Sequence, residues 1–167
     1  MKTKFILIEL SVCFCLGQCH FSMEEVTYPW YVQNNASYSI GTYFAFGCYD
    51  FSLTAYPDTT IQQDSVMAMV TFNKKLEVWR SPNREKLIKS LPSDTLSIFI
   101  FHVDILNRYT WEDIRQNYRI LKRYDLSLKD LQKLDYTVPY PPTEMMKDMK
   151  MYPPYGAALP LRGVACK

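Results

Sequence analysis

The most constraining feature of this sequence is the nearly continuous apolar run at residues 96–103, which reads Leu-Ser-Ile-Phe-Ile-Phe-His-Val. A short run rich in Ile, Phe and Val is typical of a β-strand that is covered on both faces. We therefore expect this segment to be the central strand of a sheet.

Composition and charge limit the classes of protein that the chain can belong to. Hydrophobic residues make up 48% of the 167 residues, which is enough for one domain with a sizeable core. The formal net charge of +2 argues against a basic nucleic-acid-binding surface. The small basic cluster of Arg119, Lys122 and Arg123 is interpreted as a solvated helix end, and no nucleic-acid partner is predicted.

The N-terminal half of the domain is rich in β-branched and aromatic residues. Residues 30–32 and 38–49 predict strands, and residues 66–72 and 76–79 predict two more around a turn at 73–75. This half is expected to be mainly sheet.

Three helices are predicted from their start signals. Ser81 as N-cap and Pro82 at the first helical position predict a helix over 82–91. Thr110 precedes apolar residues at helical spacing, which predicts a helix over 111–121.

The third start signal is a serine followed three residues later by an aspartate. Ser127 and Asp130 predict a capped helix over 128–134. The alternation that follows, from Tyr136 to Tyr140, predicts a strand, and Pro139 within it favours the edge of a sheet.

The order of these elements predicts an α+β fold, with helices on one face of a mainly antiparallel sheet. The alternative is a β-sandwich with appended helices. The predicted organisation is a signal peptide at 1–18, a tether at 19–27, a single α+β domain at 28–155 and a C-terminal tail at 156–167.

The N-terminus carries Lys2 and Lys4 before an apolar stretch at 5–16. A membrane-spanning helix needs about 20 apolar residues, so this stretch is too short to span. It fits a secretory signal peptide, and the alternative is a buried N-terminal strand.

The apolar stretch ends in Leu16-Gly17-Gln18-Cys19, which is similar to a bacterial lipobox. Cys19 is therefore the predicted lipidation site, although Gln18 departs from the small residue usual at that position. Two acyl chains would hold the protein stably at a membrane. The alternative is ordinary cleavage after the small residues Cys15 and Gly17.

Two other cysteines remain in the mature chain. Cys48 and Cys166 are a possible disulfide in an exported protein, and the alternative is that both are unpaired apolar side chains. No Cys-x-x-Cys pair is present, so a structural zinc site has no support. No metal site and no cofactor are predicted.

Catalytic chemistry has little support in the sequence. His102 with Asp104 on the same strand face could act as a general base, with Ser97 or a hydroxyl distant in sequence as the nucleophile. A packed histidine at the rim of the sheet is the preferred interpretation. Glu112 and Asp113 are explained by the favourable first turn of a helix, so no catalytic residue is predicted and the protein is not expected to be an enzyme.

Aromatic residues reach 15% of the chain. Exposed aromatics can stack on sugars or form a protein interface, and packing in the core is the preferred alternative. The residues concerned are Trp30, Tyr31, Tyr38, Tyr43, Tyr49 and Tyr56.

Several motifs resemble a family of small, uncharacterised exported proteins of Bacteroidales-type bacteria. They are Asp-Thr-Leu-Ser-Ile-Phe-Ile-Phe at 94–101, Trp-Glu-Asp-Ile-Arg at 111–115, Ile-Leu-Lys-Arg-Tyr-Asp-Leu-Ser at 120–127, Tyr-Pro-Pro-Thr at 140–143 and Lys-Met-Tyr-Pro-Pro-Tyr at 150–155. The resemblance implies export rather than a particular activity. In such bacteria, Asp-Thr and Asp-Ser motifs on exported proteins can carry O-linked glycans, which makes Thr59 and Ser65 candidate acceptors.

These observations together predict an exported, lipid-anchored, non-enzymatic protein of the cell envelope with a structural or binding role. Its predicted partner is the membrane, reached through Cys19, while a protein or glycan partner is unspecified. The alternatives are a sugar- or peptide-binding accessory protein that uses exposed aromatics, and an enzyme built around His102.

Overall fold

The structure is a computed structural model that describes residues 26–45 and 68–157. The predicted signal peptide, Cys19, Cys48, Thr59, Ser65 and Cys166 lie outside the described residues. The strands are β1 Tyr28–Asn34, β2 Ile40–Ala45, β3 Ala68–Val70, β4 Lys74–Ser81, β5 Thr95–His102, β6 Lys122–Ser127, β7 Thr137–Tyr140 and β8 Met151–Tyr152. The helices are α1 Arg84–Lys89, α2 Val103–Arg108, α3 Trp111–Gln116 and α4 Leu128–Lys133, with 3-10 turns at Pro92–Asp94 and Glu144–Met146.

The described strands form two sheets. One has three strands in the order β4-β1-β7, and the other has five in the order β3-β2-β5-β6-β8. All the pairings are antiparallel except that of β1 with β7. The prediction of a mainly antiparallel α+β fold is therefore confirmed, but the expected single sheet is two. The expectation of helices on one face is wrong, because α1 and α4 pack into one core cluster while α2 and α3 pack into another.

Strand β5 is the central strand of the larger sheet, as its apolar run predicts. Ile98 and Ile100 pack into the main core, which also contains Trp30 of the smaller sheet. On the opposite face, Phe99 and Phe101 belong to a second core cluster. Because both faces of β5 are covered, the strand is apolar along nearly its whole length.

Helices α2 and α3 build the second cluster. Ile105 of α2 and Ile114 of α3 are buried against the same face as Phe101. This arrangement places α3 over the five-stranded sheet, close to its β6 side.

Two of the predicted helix caps are confirmed. The Thr110 hydroxyl accepts a hydrogen bond from the backbone N–H of Asp113 at the start of α3. At the start of α4, Ser127 and Asp130 form a complete capping box. Each cap joins residues only three positions apart in the sequence, so the sequence alone can predict it.

The predicted start of the first helix is wrong by two residues. Helix α1 begins at Arg84, and its N-cap is Asn83, whose side chain accepts from the N–H of Lys86 at 2.8 Å. Ser81 instead ends β4 and pairs with Tyr28. Asparagine caps helices as well as serine does. Ser81 is paired with β1 in the sheet, so Asn83 caps the helix instead.

The prediction of one helix over 111–121 is also wrong at its C-terminal end. Helix α3 ends at Gln116, and residues 122–127, for which no strand was expected, form β6. Tyr124 and Leu126 of β6 point into the main core, while Asp125 is buried on the other face. Charged residues on a covered face obscure the alternation that would have predicted a strand.

Strand β7 lies at the edge of the three-stranded sheet, as Pro139 indicates. Its pairing with β1 is parallel, and Pro139 lies opposite Gln33. Within the described ranges, no helix has the length and hydrophobicity needed to cross a membrane.

Candidate functional site

A cleft of about 700 Å³ opens between helix α3 and the edge of the five-stranded sheet formed by β6 and β8. Its lining consists of polar and aromatic side chains from three elements and the turn after α3. They are Glu112, Arg115, Gln116, Tyr118, Arg123 and Tyr152.

The wall contributed by α3 carries three planar polar groups. The Glu112 carboxylate accepts from Nη2 of Arg115 at 2.8 Å and from Nε2 of Gln116 at 2.5 Å. Residues three and four apart lie on the same helix face. The helix therefore presents a carboxylate, a guanidinium and a carboxamide side by side.

Tyr118 stands at the position that ends α3. The N–H of Tyr118 donates to the Arg115 carbonyl at 3.2 Å, and the N–H of Arg119 donates to the Ile114 carbonyl at 2.9 Å. This pair of bonds is the Schellman motif, whose left-handed residue is usually glycine. Tyr118 adopts that conformation with φ of +49°, which is unfavourable for a bulky side chain.

Interactions of the ring and hydroxyl hold Tyr118 in this conformation. Its hydroxyl oxygen accepts a 2.8 Å hydrogen bond from Nη1 of Arg123. Its ring meets that of Tyr152 edge to face, with centroids 5.5 Å apart. Burial raises the pKa of the Tyr118 hydroxyl above its ordinary value.

Arg123 is fixed from below by a buried carboxylate. Its Nη2 lies 3.2 Å from Oδ2 of Asp125, whose side chain is only 1% exposed. The other oxygen, Oδ1, accepts from the Ser97 hydroxyl at 2.6 Å. The Ser97 hydrogen bond orients the Asp125 carboxylate, and the charge of that carboxylate attracts the Arg123 guanidinium, which lines the cleft.

Strand pairing brings Tyr152 into the site. Arg123 of β6 lies directly opposite Tyr152 of β8 in the antiparallel ladder, and side chains in such pairs project from the same face. Tyr152 is 43% exposed. It forms the accessible aromatic surface of the cleft.

The charges of the cleft balance one another. Arg115 pairs with Glu112, and Arg123 pairs with Asp125. Both cations are therefore locally compensated, and the site as a whole is close to neutral.

The predicted basic cluster is not a solvated helix end. Lys122 is 5% exposed, and its Nζ donates to the Pro153 carbonyl at 2.9 Å. Burial lowers its pKa below the ordinary value for lysine. Arg119 pairs with Asp113 at 2.6 Å. The prediction fails because residues 122 and 123 belong to a strand of the sheet and not to a helix terminus.

His102 is the N-cap of α2. Its Nδ1 accepts the N–H of Asp104 at 3.1 Å, and its ring lies 4.6 Å from that of Tyr38. The expectation that Asp104 shares a strand face with His102 is wrong, because β5 ends at His102 and Asp104 lies in the first turn of α2. Ser97 lies in the opposite half of β5 and bonds Asp125, so the structure does not assemble the three residues.

The aromatic residues singled out in the sequence have mixed locations. Trp30 and Tyr43 are buried, which confirms the packing interpretation for these two, while Tyr49 and Tyr56 lie outside the described residues. The sequence alone does not indicate Tyr118 or Tyr152 as site residues. The repeated Tyr-Pro-Pro motif at 152–154 was the one available signal for Tyr152.

No cluster of metal-ligating side chains occurs within residues 26–45 and 68–157. No protein-family model, no curated protein and no solved structure matches this chain. The candidate site therefore rests on its own geometry.

Proposed function

We propose that this protein is exported, anchored to the cell envelope by lipid on Cys19, and acts there by binding rather than by catalysis. The binding site is the cleft between α3, β6 and β8. The observation that carries the proposal is the left-handed Tyr118 in the wall of that cleft, whose hydroxyl accepts from Arg123, the ion-pair partner of the buried Asp125.

Unfavourable backbone conformations persist where the surrounding structure imposes them. A tyrosine at the end of α3, where glycine is usual, makes the folded backbone less favourable. The same tyrosine places a hydroxyl and a ring edge at a fixed position in the cleft wall. A preorganised side chain loses little conformational entropy when a ligand binds.

The non-enzymatic part of the proposal is supported by the way the reactive side chains are engaged. Nδ1 of His102 accepts a backbone N–H at the start of α2. The Ser97 hydroxyl is buried and donates to Asp125. Neither group lines the cleft.

Export and anchoring are supported by the apolar stretch at 5–16, by the Leu16-Gly17-Gln18-Cys19 sequence and by the resemblance to exported proteins. A diacylated cysteine would place the domain at a membrane surface, with the residues at 19–27 as its tether.

The test of location is detergent-phase partitioning of the protein made in a bacterium that processes lipoproteins. Wild-type protein is expected in the detergent phase, and Cys19→Ser is expected in the aqueous phase. Cys48→Ser is the matched control and should partition as the wild type does. Wild-type protein in the aqueous phase would contradict the proposed anchor.

A further inference from the structure

The charge balance of the cleft restricts the class of ligand that it can bind. Arg115 and Arg123 are each compensated by a carboxylate, Glu112 and Asp125 respectively. An anionic ligand would have to displace Glu112 or share a guanidinium that Asp125 already holds. The arrangement favours a ligand that carries no net charge.

The polar groups of α3 match a ligand rich in hydroxyls. Glu112 offers acceptors only, Arg115 offers donors only, and Gln116 offers both. One hydroxyl of a neighbouring pair can donate to Glu112, and the other hydroxyl can accept from Arg115. The three groups lie on one helix face, so they can contact a single ring of the ligand.

The Tyr118 hydroxyl adds one directed donor. Its oxygen accepts from Nη1 of Arg123, so its own hydrogen is available for another acceptor. The Arg123 and Asp125 pair holds this hydroxyl in place. A hydroxyl oxygen of a ligand in the cleft could accept the hydrogen of the Tyr118 hydroxyl.

The exposed ring of Tyr152 supplies an apolar surface beside these groups. Its edge contact with Tyr118 and its place in the ladder opposite Arg123 fix its orientation. Aromatic side chains of this kind combine large contact area with little rotamer freedom. The apolar C–H face of a sugar ring fits such a surface.

The size of the cleft is consistent with a ligand larger than one ring. Its volume of about 700 Å³ lies within the range of about 300–1,000 Å³ for small-molecule sites. We infer that the cleft binds a neutral oligosaccharide, with Tyr152 under one sugar ring and Glu112, Arg115, Gln116 and Tyr118 bonding its hydroxyls. This inference rests on the proposed binding function.

The experiment uses the full-length protein purified in detergent and an array of immobilised neutral and acidic oligosaccharides. The wild type is expected to bind at least one neutral oligosaccharide. Tyr152→Ala should weaken that binding at least tenfold, because the sugar loses its aromatic surface. Tyr155→Ala is the matched control, since Tyr155 is also exposed but does not line the cleft.

A second variant protects the test against misfolding. Gln116 is exposed on α3. Gln116→Ala should therefore leave the unfolding midpoint nearly unchanged, and it should weaken binding of the same oligosaccharide several fold. Equal binding by the wild type and both cleft variants would overturn the inference.

The outcomes separate the ligand class from the binding function. A random peptide array is probed in parallel with the same proteins. Binding to acidic oligosaccharides or to peptides that depends on Tyr152 would overturn the neutral-sugar inference and keep the cleft as a binding site. If neither array shows binding that depends on Tyr152, both the neutral-sugar inference and the proposed binding function of the cleft are overturned.

Discussion

Ser97 and Asp125 lie opposite each other on strands β5 and β6, and the Ser97 hydroxyl donates a 2.6 Å hydrogen bond to Oδ1 of Asp125. Both residues are buried. The other carboxylate oxygen faces Arg123 at the base of the cleft. A polar contact within the sheet therefore determines where a cleft side chain stands.

Loss of the serine hydroxyl should destabilise the domain. Ser97→Ala leaves Oδ1 of Asp125 without this donor in a buried site, and such a loss costs about 1–3 kcal/mol. Urea denaturation measures the change in the free energy of unfolding. Ser37→Ala, at an exposed serine in the turn after β1, is the control and should have little effect.

Loss of the Asp125 charge should lower the free energy of unfolding more than loss of the Ser97 hydroxyl does. Asp125→Asn keeps the shape of the side chain but leaves the guanidinium of Arg123, which is 18% exposed, without its charged partner. Breaking one side of a buried ion pair costs about 3–5 kcal/mol. Thermal or urea unfolding measures the loss, and a loss no greater than that of Ser97→Ala would show that the ion pair contributes little.

The capping box of α4 makes a third prediction. Ser127→Ala removes the acceptor for the N–H of Asp130 and the hydroxyl that donates to Oδ2 of Asp130, while the backbone N–H at position 127 keeps its bond to that carboxylate. The expected loss is about 0.5–2 kcal/mol. An unchanged denaturation midpoint would mean that the cap does not stabilise the helix.

The buried tyrosines predict a loss of stability at alkaline pH. Burial raises the pKa values of Tyr118, Tyr124 and Tyr140 above the ordinary value of 10.0. Above pH 10 the unfolded chain therefore releases phenolic protons that the folded chain retains, and stability falls as pH rises. Lys122 acts in the opposite direction, because burial lowers its pKa and the folded chain releases that proton first.

Three tyrosines outnumber the one lysine, so the net effect above pH 10 should be destabilising. Denaturant unfolding at a series of pH values measures the slope. Tyr140→Phe should make the slope shallower, while Tyr155→Phe, at an exposed position, should leave it unchanged. A stability that stays constant well above pH 10 would be inconsistent with this origin.

The parts of the fold that the sequence predicts are those set by neighbouring residues. Thr110 and Ser127 cap helices through bonds to residues three positions later. The apolar run of β5 predicts its central place because burial on both faces requires apolar side chains at successive positions.

The candidate site could not be predicted in the same way, because long-range pairing creates it. Arg123 and Tyr152 meet only because β8 pairs with β6. Tyr118 occupies a position where glycine is usual, so local propensity gives no sign that α3 ends there. The sequence does not predict strand β6, because its face toward the cleft carries the charged Arg123 and Asp125 rather than the apolar residues that indicate a buried strand.

The most direct test of the proposed anchor is the mass of the N-terminal fragment of the protein isolated from bacterial membranes. Cleavage after glutamate releases residues 19–24 from a chain processed before Cys19. We expect this fragment to carry a diacylglyceryl group on Cys19. A fragment that begins at Met1, or a processed fragment with unmodified Cys19, would contradict it.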